Sequence, residues 1–171
     1  TAQKFHGAFP HWLNGTTGAV IPFSQKDNGA DLVETSYLIA GLLTTRQFFN
    51  GSDVAEISLR NDINALWNAV DWSWFRKNNE NVLYWHWSPN YNWEMNHQIK
   101  GWNECLITYV LGASSTTYGI PQIVYTNGWA NNGNEPFKNG NNYYGYQLPL
   151  GENVGGPLFF SQYSFMGINP N

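Results

Sequence analysis

The chain contains 171 residues, a length that one hydrophobic core ordinarily serves, and carries a net charge of −4 with only 12% charged residues. The lack of any run of Lys or Arg residues argues against nucleic-acid binding. No apolar stretch reaches the length of about 18 residues that a membrane span needs, and a single cysteine rules out a disulfide framework. Aromatic residues make up 17%, and rings with uncharged polar groups suit neutral polyhydroxyl ligands, because sugars offer C–H faces for stacking and hydroxyls for hydrogen bonding.

The first half of the chain predicts an irregular lead-in followed by two helices. Gly and Pro interrupt an aromatic cluster in residues 1–25, which favours irregular, partly buried structure. Apolar residues recur at helical spacing over about 27–49, and Asn50-Gly51 ends that helix. Ser52-Asp53 is typical of a helix N-cap, so a second helix is expected to run to about Lys77. Its apolar stripe comprises Val54, Ile57, Leu66, Trp67, Val70 and Trp74.

The second half predicts extended structure, two further helices and a long loop. Residues 82–87 alternate in the manner of a strand or hairpin arm. A third helix fits about 99–113, and a short fourth helix begins after Pro121 and ends near Trp129. Residues 130–156 are rich in Asn, Gly and Tyr and predict a long loop, with a small hairpin around 143–148.

Three carboxylates fall on one face of the predicted first helix. Asp27, Asp31 and Glu34 lie at about 0°, 40° and 340° on a helical wheel, with no cation on that face. In a cleft, each would raise the pKa of its neighbour, which is how a carboxyl group stays protonated near neutral pH. On an open surface, the same residues would form a solvated acidic face that the helix dipole favours. Spacing alone leaves both interpretations open.

Glu104 is a second candidate, expected within the first turn or two of the third helix beside Trp102. Desolvation by its aromatic and apolar neighbours would raise its pKa and make it a candidate general acid. The alternative is an ordinary carboxylate at a helix start. Cys105, beside Leu106, is expected to be a buried and inert thiol.

Three histidines lie among aromatic residues: His11, His86 and His97. We expect them to be neutral and hydrogen-bonded, either lining a site or buried. Glu94 and His97 have the spacing used by di-iron bundles, but those need a second copy and two further Glu residues. The start of a calcium loop at Asp27 lacks the Glu at its twelfth position, which is Leu38. We therefore expect no metal ion and no cofactor.

Five short blocks, spread over nearly the whole chain, hold most of these candidate residues. They are Phe9-Pro10-His11-Trp12, residues 22–35, residues 84–89, Gly101-Trp102-Asn103-Glu104 and residues 156–160. Together they resemble the bacterial glycoamylase-like domain family, which includes endo-β-1,2-glucanases, proteins named putative glucoamylases and a domain of cyclic β-1,2-glucan synthases.

The resemblance implies a mainly α fold, part of an (α/α)6 toroid whose central cleft binds a glucan, with short strands and long Asn/Gly/Tyr-rich loops. It implies that Asp27, Asp31 and Glu34 line that cleft and that Glu104 matches the carboxylate favoured as general acid. The residues implied as sugar contacts are His11, Trp12, Arg46, His86, Trp87 and Trp102.

The first functional hypothesis is a glycoside hydrolase that cleaves a glucan, with a β-1,2-linked glucan preferred, by carboxylate acid/base catalysis with inversion. Glu104 would be the acid, and Asp27, Asp31 or Glu34 would orient substrate, tune charge or act as base, unless the base lies outside this chain. The alternatives are a non-catalytic carbohydrate-binding module and a glucan-processing domain of a cyclic glucan synthase.

The resemblance also bears on domain organisation. A family toroid needs about twelve helices and the chain supplies about four, so residues 1–171 are expected to form a single, incomplete glycoamylase-like domain. The strongly apolar segment 157–166 fits that expectation, because helices of such apolarity need partners. From the substrate class we expect a periplasmic or secreted monomer whose partner is a glucan, with no nucleic acid and no membrane insertion.

Overall fold

In the computed structural model, residues 1–130 and 139–169 are described, and they are mainly helical with short strands. The helices are α1 (Leu32–Phe48), α2 (Val54–Asn68), α3 (Leu106–Ser114) and the single turn α4 (Gln122–Val124), which continues as a π-helical turn over Tyr125–Trp129. No helix among these residues is both long enough and apolar enough to cross a membrane.

Helix α1 begins five residues later than the sequence predicts. Asp31 is its N-cap: the residue is extended, and its side chain accepts hydrogen bonds from the backbone N–H groups of Val33 and Glu34. Asp27 therefore lies in a loop before the helix, and the prediction that three carboxylates share one helical face is wrong. Helical periodicity missed this because Ala30 and Asp31 pair as a strand with residues far along the chain.

Helix α2 starts where predicted, with Asp53 capping the N–H groups of Ala55 and Glu56. It ends at Asn68 rather than Lys77, because the Asp71 side chain accepts hydrogen bonds from Ser73 Oγ and the Trp74 N–H and forms a local turn. The predicted apolar stripe is wrong for Val54, Ile57 and Trp74, which are exposed, and right for Leu66, Trp67 and Val70, which pack in or against the core. The fully buried residue of α2 itself is Ile63.

Helix α3 is shorter than predicted, and Glu104 precedes it. Gln98 and Ile99 form a strand, Gly101 takes a left-handed conformation with φ of 78°, and the helix begins only at Leu106. Cys105 occupies the N-cap position and is fully buried and free, as expected, although it lies before the helix rather than inside it.

The eight strands are two residues long and form four antiparallel pairs among the described residues. These pairs are β1 (Trp12–Leu13) with β2 (Val20–Ile21), β3 (Ala30–Asp31) with β5 (His86–Trp87), β4 (Leu83–Tyr84) with β6 (Gln98–Ile99), and β7 (Asn142–Tyr143) with β8 (Tyr146–Gln147). The extended segment 82–87 is thus confirmed, but it contacts two different partners, and the small hairpin is confirmed at 142–147. Residues 131–138 of the predicted loop lie outside the described residues.

The core lies between α1 and α3 and is closed by aromatic side chains. Ile39 of α1 and Ile107 of α3 pack with Trp72, Phe75 and other buried residues. The Tyr109 hydroxyl ties the core to the strands, because it donates to the Ile99 carbonyl and accepts from the Leu83 N–H. Segment 157–166 forms two 3-10 turns, Leu158–Ser161 and Tyr163–Met166, rather than a continuous helix. This arrangement places the start of α1 and the turn before α3 side by side.

Candidate active site

Asp31 stands at the centre of the candidate site, fully buried at the start of α1. Its Oδ1 accepts the two helix-capping hydrogen bonds, each 3.0 Å long. Its Oδ2 accepts a hydrogen bond from His11 Nδ1 at 2.9 Å. Oδ1 thus accepts two hydrogen bonds and Oδ2 accepts one, so Asp31 both caps the start of α1 and orients His11.

Asp27 reaches the same place from the loop before β3. Gly29 lets the loop pass close to β5, because a Cβ at residue 29 would lie 2.3 Å from the Trp87 carbonyl oxygen. Asn28 secures the loop by accepting a hydrogen bond of 2.6 Å from Ser88 Oγ. Asp27 is buried as a result, and its Oδ1 has no hydrogen-bond partner within the described residues.

His86 faces both carboxylates from β5, where it pairs in register with Asp31. Its Nε2 lies 3.6 Å from Asp27 Oδ2 and 3.6 Å from Asp31 Oδ2, which is longer than a hydrogen bond. The imidazole side chain is 10% exposed, and its Nδ1 is buried without a partner in the described part of the chain. Two carboxylates and two imidazoles therefore share one small, poorly solvated space.

Burial shifts the pKa values of this group in opposite directions. It raises the pKa of Asp31 to about 6 despite the stabilising hydrogen bonds from Glu34 N–H and His11, and it also raises the pKa of Asp27. Burial, together with the imidazoles of His97 and His11, lowers the pKa of His86 to about 3, so that ring is neutral near pH 7. The interpretation of these carboxylates as a solvated acidic face is wrong for Asp27 and Asp31, because both are buried.

Glu104 is half-buried in the turn before α3, next in sequence to the fully buried Cys105. Burial raises the pKa of the Glu104 carboxyl, and the Glu34 carboxylate raises it further. The pKa of Cys105 is raised well above its usual value by burial and then by the charges of Glu104, Asp31 and Glu34. Such an arrangement can hold one carboxyl protonated beside an ionised neighbour, as general acid catalysis requires.

An aromatic surface borders the His11 side of the cluster. Trp12 is 50% exposed and its ring centroid lies 4.9 Å from that of Phe23, whose ring in turn lies 4.3 Å from His11. Exposed rings next to hydrogen-bonding groups can stack against the C–H face of a sugar. Trp102 is half-buried beside Glu104 and its ring lies 6.5 Å from that of Phe165.

The structure does not bring every predicted sugar contact to this cluster. Arg46 is in the last turn of α1, about 22 Å along the helix axis from Asp31, where it donates to Asn64 and lies over the Trp67 ring. Trp87 follows His86 but packs edge-on against the His6 ring at 5.0 Å. His97, which the sequence predicts to line a site or to be buried, is exposed; its ring stacks on Trp85 at 4.8 Å and lies 5.8 Å from the ring of His86.

Three residues of the cluster have the ligand atoms that a metal ion would need. The side-chain ligand atoms of His11, Asp27 and Asp31 lie within 4.8 Å of one another. A cation there would displace the hydrogen bond between His11 and Asp31. The expectation that the protein uses no metal remains a prediction.

Sequence reasoning missed three residues that shape the site. Phe23 contacts both His11 and Trp12, and the hydroxyls of Tyr37 and Ser164 bond to the Glu104 carbonyl oxygen. Phe23 could have been noticed within the block at 22–35. The other two are 67 and 60 residues from Glu104, and no local pattern marks them.

Comparison with known proteins shows clear relatives. Residues 96–171 match the Glycoamylase family, described as putative glucoamylase. The endo-β-1,2-glucanase from Chitinophaga pinensis, solved as a sophorotriose and glucose complex, is 55% identical with a TM-score of 0.93, over 99% of this chain and 41% of that one. The β-1,2-glucanase structure from Parabacteroides distasonis is 45% identical with a TM-score of 0.95, over 99% of this chain and 27% of that one.

A curated relative is described as an exo beta-1,2-glucooligosaccharide sophorohydrolase (non-reducing end), also from Parabacteroides distasonis. It is 44% identical over 99% of this chain and 26% of its own length. The chain therefore spans between about a quarter and two fifths of the length of these relatives.

Proposed function

We propose, from the premise that this chain belongs to the glycoamylase-like family and is homologous to β-1,2-glucan hydrolases, that the protein is a glycoside hydrolase acting on a β-1,2-linked glucan. The observation that carries the proposal is the set of carboxyl groups held at the start of α1 and in the turn before α3, where burial raises the pKa values of Asp27, Asp31 and Glu104. A module that only stacks sugars needs rings and amides and gains nothing from such a set.

In the proposed mechanism, Glu104 is the general acid. Its raised pKa favours the protonated form, which delivers a proton to the glycosidic oxygen as the bond to the anomeric carbon breaks. The remaining carboxylates take different roles. Asp31 orients His11. Asp27 supplies a negative charge beside His86, on the side of the cluster that would bind the sugar.

Glu34 is the best-placed carboxylate of this chain to activate water, although a base from outside the chain would serve equally well. It is half-buried in the first turn of α1, and no hydrogen bond engages its side chain within the described residues. Inversion requires the acid and base carboxyls to stand about 6.5–9.5 Å apart, which leaves room for the water. The test is ¹H NMR of the first product: an α-anomer supports inversion, and a β-anomer contradicts it.

The proposed activity is tested on the full-length protein with a panel of soluble glucans that differ in linkage. We expect hydrolysis of β-1,2-glucan and a loss of at least about 100-fold in kcat on Glu104→Gln, with substrate binding retained. Glu94→Gln is the matched control, because Glu94 is a surface residue paired with Lys26 outside the cluster. A full-length protein that binds a glucan but cleaves none would favour the binding module instead.

We also propose the architecture and location that follow from this activity. The described helices would form part of an (α/α)6 toroid, and a polymeric glucan would be met in the periplasm or outside the cell. Cell fractionation with an antibody to the protein tests the location, and a cytoplasmic signal would contradict it.

A further inference from the structure

The backbone carbonyl of Glu104 is held by two hydroxyl groups from distant parts of the chain. Tyr37 Oη donates a hydrogen bond to it at 3.0 Å, and Ser164 Oγ donates a second at 2.6 Å. A carbonyl oxygen has two lone pairs, so these hydrogen bonds satisfy it fully. The peptide plane that follows Glu104 is thereby fixed from two directions.

Ser164 also caps helix α3 from outside that helix. Its Oγ accepts a hydrogen bond of 3.1 Å from the Ile107 N–H, one of the first N–H groups of α3. The residue at the N-cap position, Cys105, provides no side-chain cap. Ser164 is buried, and Gly167 packs its segment against α1, where an added Cβ would lie 3.3 Å from that of Ala40.

Tyr37 connects the same carbonyl to the helix that carries Glu34. Residues three apart lie on neighbouring positions of one helical face, so Glu34 and Tyr37 share the face of α1 that meets the Glu104 turn. Tyr163 supports the arrangement, because its ring lies edge-on to that of Tyr37 at 5.7 Å.

We propose that Tyr37 and Ser164 are positioning residues that hold the Glu104 turn in place, so that the carboxyl group of Glu104 keeps its position against α1, the helix that carries Glu34. The inference rests on the proposed function of Glu104 as general acid. Neither hydroxyl touches substrate in this role. Loss of either one lets the turn before α3 move, and small displacements of a catalytic group cost rate far more than they cost binding.

A pH effect follows from the same geometry. The titratable groups that face Glu104 are Glu34 and Tyr37 on α1, the neighbouring Cys105, and Tyr163 beyond Tyr37. If the turn moves outward, the Glu104 carboxyl becomes exposed to water and moves away from Glu34. Both changes lower the pKa of Glu104 toward its ordinary value. Because the protonated form is the active one, the alkaline limb of the kcat profile then moves to lower pH.

The experiment measures kcat, KM and the pH profile on β-1,2-glucan for full-length Tyr37→Phe and Ser164→Ala. The matched controls are Tyr109→Phe and Ser36→Ala, which remove buried hydroxyls that also donate to backbone carbonyls, those of Ile99 and Leu32, at 2.7 Å each. We expect a kcat loss of about 10- to 100-fold in both test variants with KM changed less than about twofold, and a downward shift of the alkaline limb. The controls should unfold more readily yet keep kcat and the pH profile.

The outcomes separate this inference from the proposed function. If Glu104→Gln is inactive while both test variants keep the wild-type kcat, the positioning role is wrong and the general acid stands. If the controls lose kcat as much as the test variants do, the hydroxyls stabilise the fold only, and the inference is overturned. If Glu104→Gln remains active, the proposed function itself fails.

Discussion

Asp31 and His86 are buried neighbours whose shifted pKa values affect stability in opposite directions. The pKa of Asp31 rises from 3.8 to about 6 on folding, so between these values the folded protein holds a proton that the unfolded chain has lost, and stability falls as pH rises. The pKa of His86 falls from 6.5 to about 3, so over an overlapping range the unfolded chain holds the extra proton, and stability falls as pH drops. In the wild-type protein the two contributions largely cancel between about pH 4 and pH 6.

Single substitutions should reveal each contribution. In His86→Gln the contribution of Asp31 remains, so we expect stability relative to the wild type to fall as pH rises from about 4 to 6. In Asp31→Asn, which keeps a good helix cap, we expect the relative stability to rise over the same interval. Urea unfolding of full-length protein at half-unit steps of pH measures both slopes. Parallel slopes in the two variants would contradict the assignment.

Trp12 should contribute to substrate binding rather than to chemistry. Its half-exposed ring borders the His11 side of the cluster, and removal of one stacking ring costs about 1 kcal/mol. We expect Trp12→Ala to raise KM about fivefold with kcat little changed. Tyr146→Ala is the control, because Tyr146 is a 78% exposed ring on β8, outside the cluster. An equal effect of both substitutions on KM would show that the ring at residue 12 has no particular role.

For individual residues, the sequence predicts burial and helix capping better than it predicts which residues will be in contact. The burial of Cys105 and the capping by Asp53 follow from local chemistry, and the structure confirms both. The partners of Glu104 could not be predicted, because Tyr37 and Ser164 reach it only through tertiary packing.

Among the secondary-structure elements, the pairing of β3 with β5 matters most for the site. It brings Asp31 opposite His86 across 55 positions of sequence, and Gly29 permits it. We expect Gly29→Ala to push the two strands apart, to lower stability and to reduce kcat/KM strongly, because the new Cβ would meet the Trp87 carbonyl oxygen.

Gly41→Ala provides the control for that substitution. Gly41 is an exposed position within α1 with no atom within 4 Å of an added Cβ, so alanine should stabilise the helix by about 1 kcal/mol and leave activity unchanged. Thermal unfolding and initial rates measure both variants. A Gly29→Ala protein with wild-type kcat/KM would show that the strand pairing does not position the carboxylates.

Pairing between strands that are distant in sequence explains which helix boundaries the sequence predicts correctly. The predicted start of α2 is correct because its cap is local, whereas the predicted starts of α1 and α3 are too early. In both of those cases a two-residue strand occupies the predicted first turn, and its partner strand is distant in sequence. Helical spacing of apolar residues carries no information about such pairs.

On the scale of the whole molecule, several large apolar side chains are exposed: Phe48, Val54, Leu158 and Met166. A cavity of about 370 Å³ also opens between α1 and α3, lined partly by Leu43, Ile107 and Val110. We propose that further helices of a toroid cover these side chains and this cavity in the full-length protein, since exposed apolar surface often marks a face against which another element packs.

In the proposed mechanism, Glu104 protonates the leaving group during glucan cleavage. The most direct measurement compares full-length wild-type and Glu104→Gln proteins on β-1,2-glucan and on a dinitrophenyl glycoside of a β-1,2-gluco-oligosaccharide, whose leaving group needs no proton. We expect Glu104→Gln to lose at least about 100-fold in kcat on the glucan but to cleave the activated glycoside at nearly the wild-type rate. An equal loss on both substrates, or no loss on either, would show that Glu104 is not the general acid.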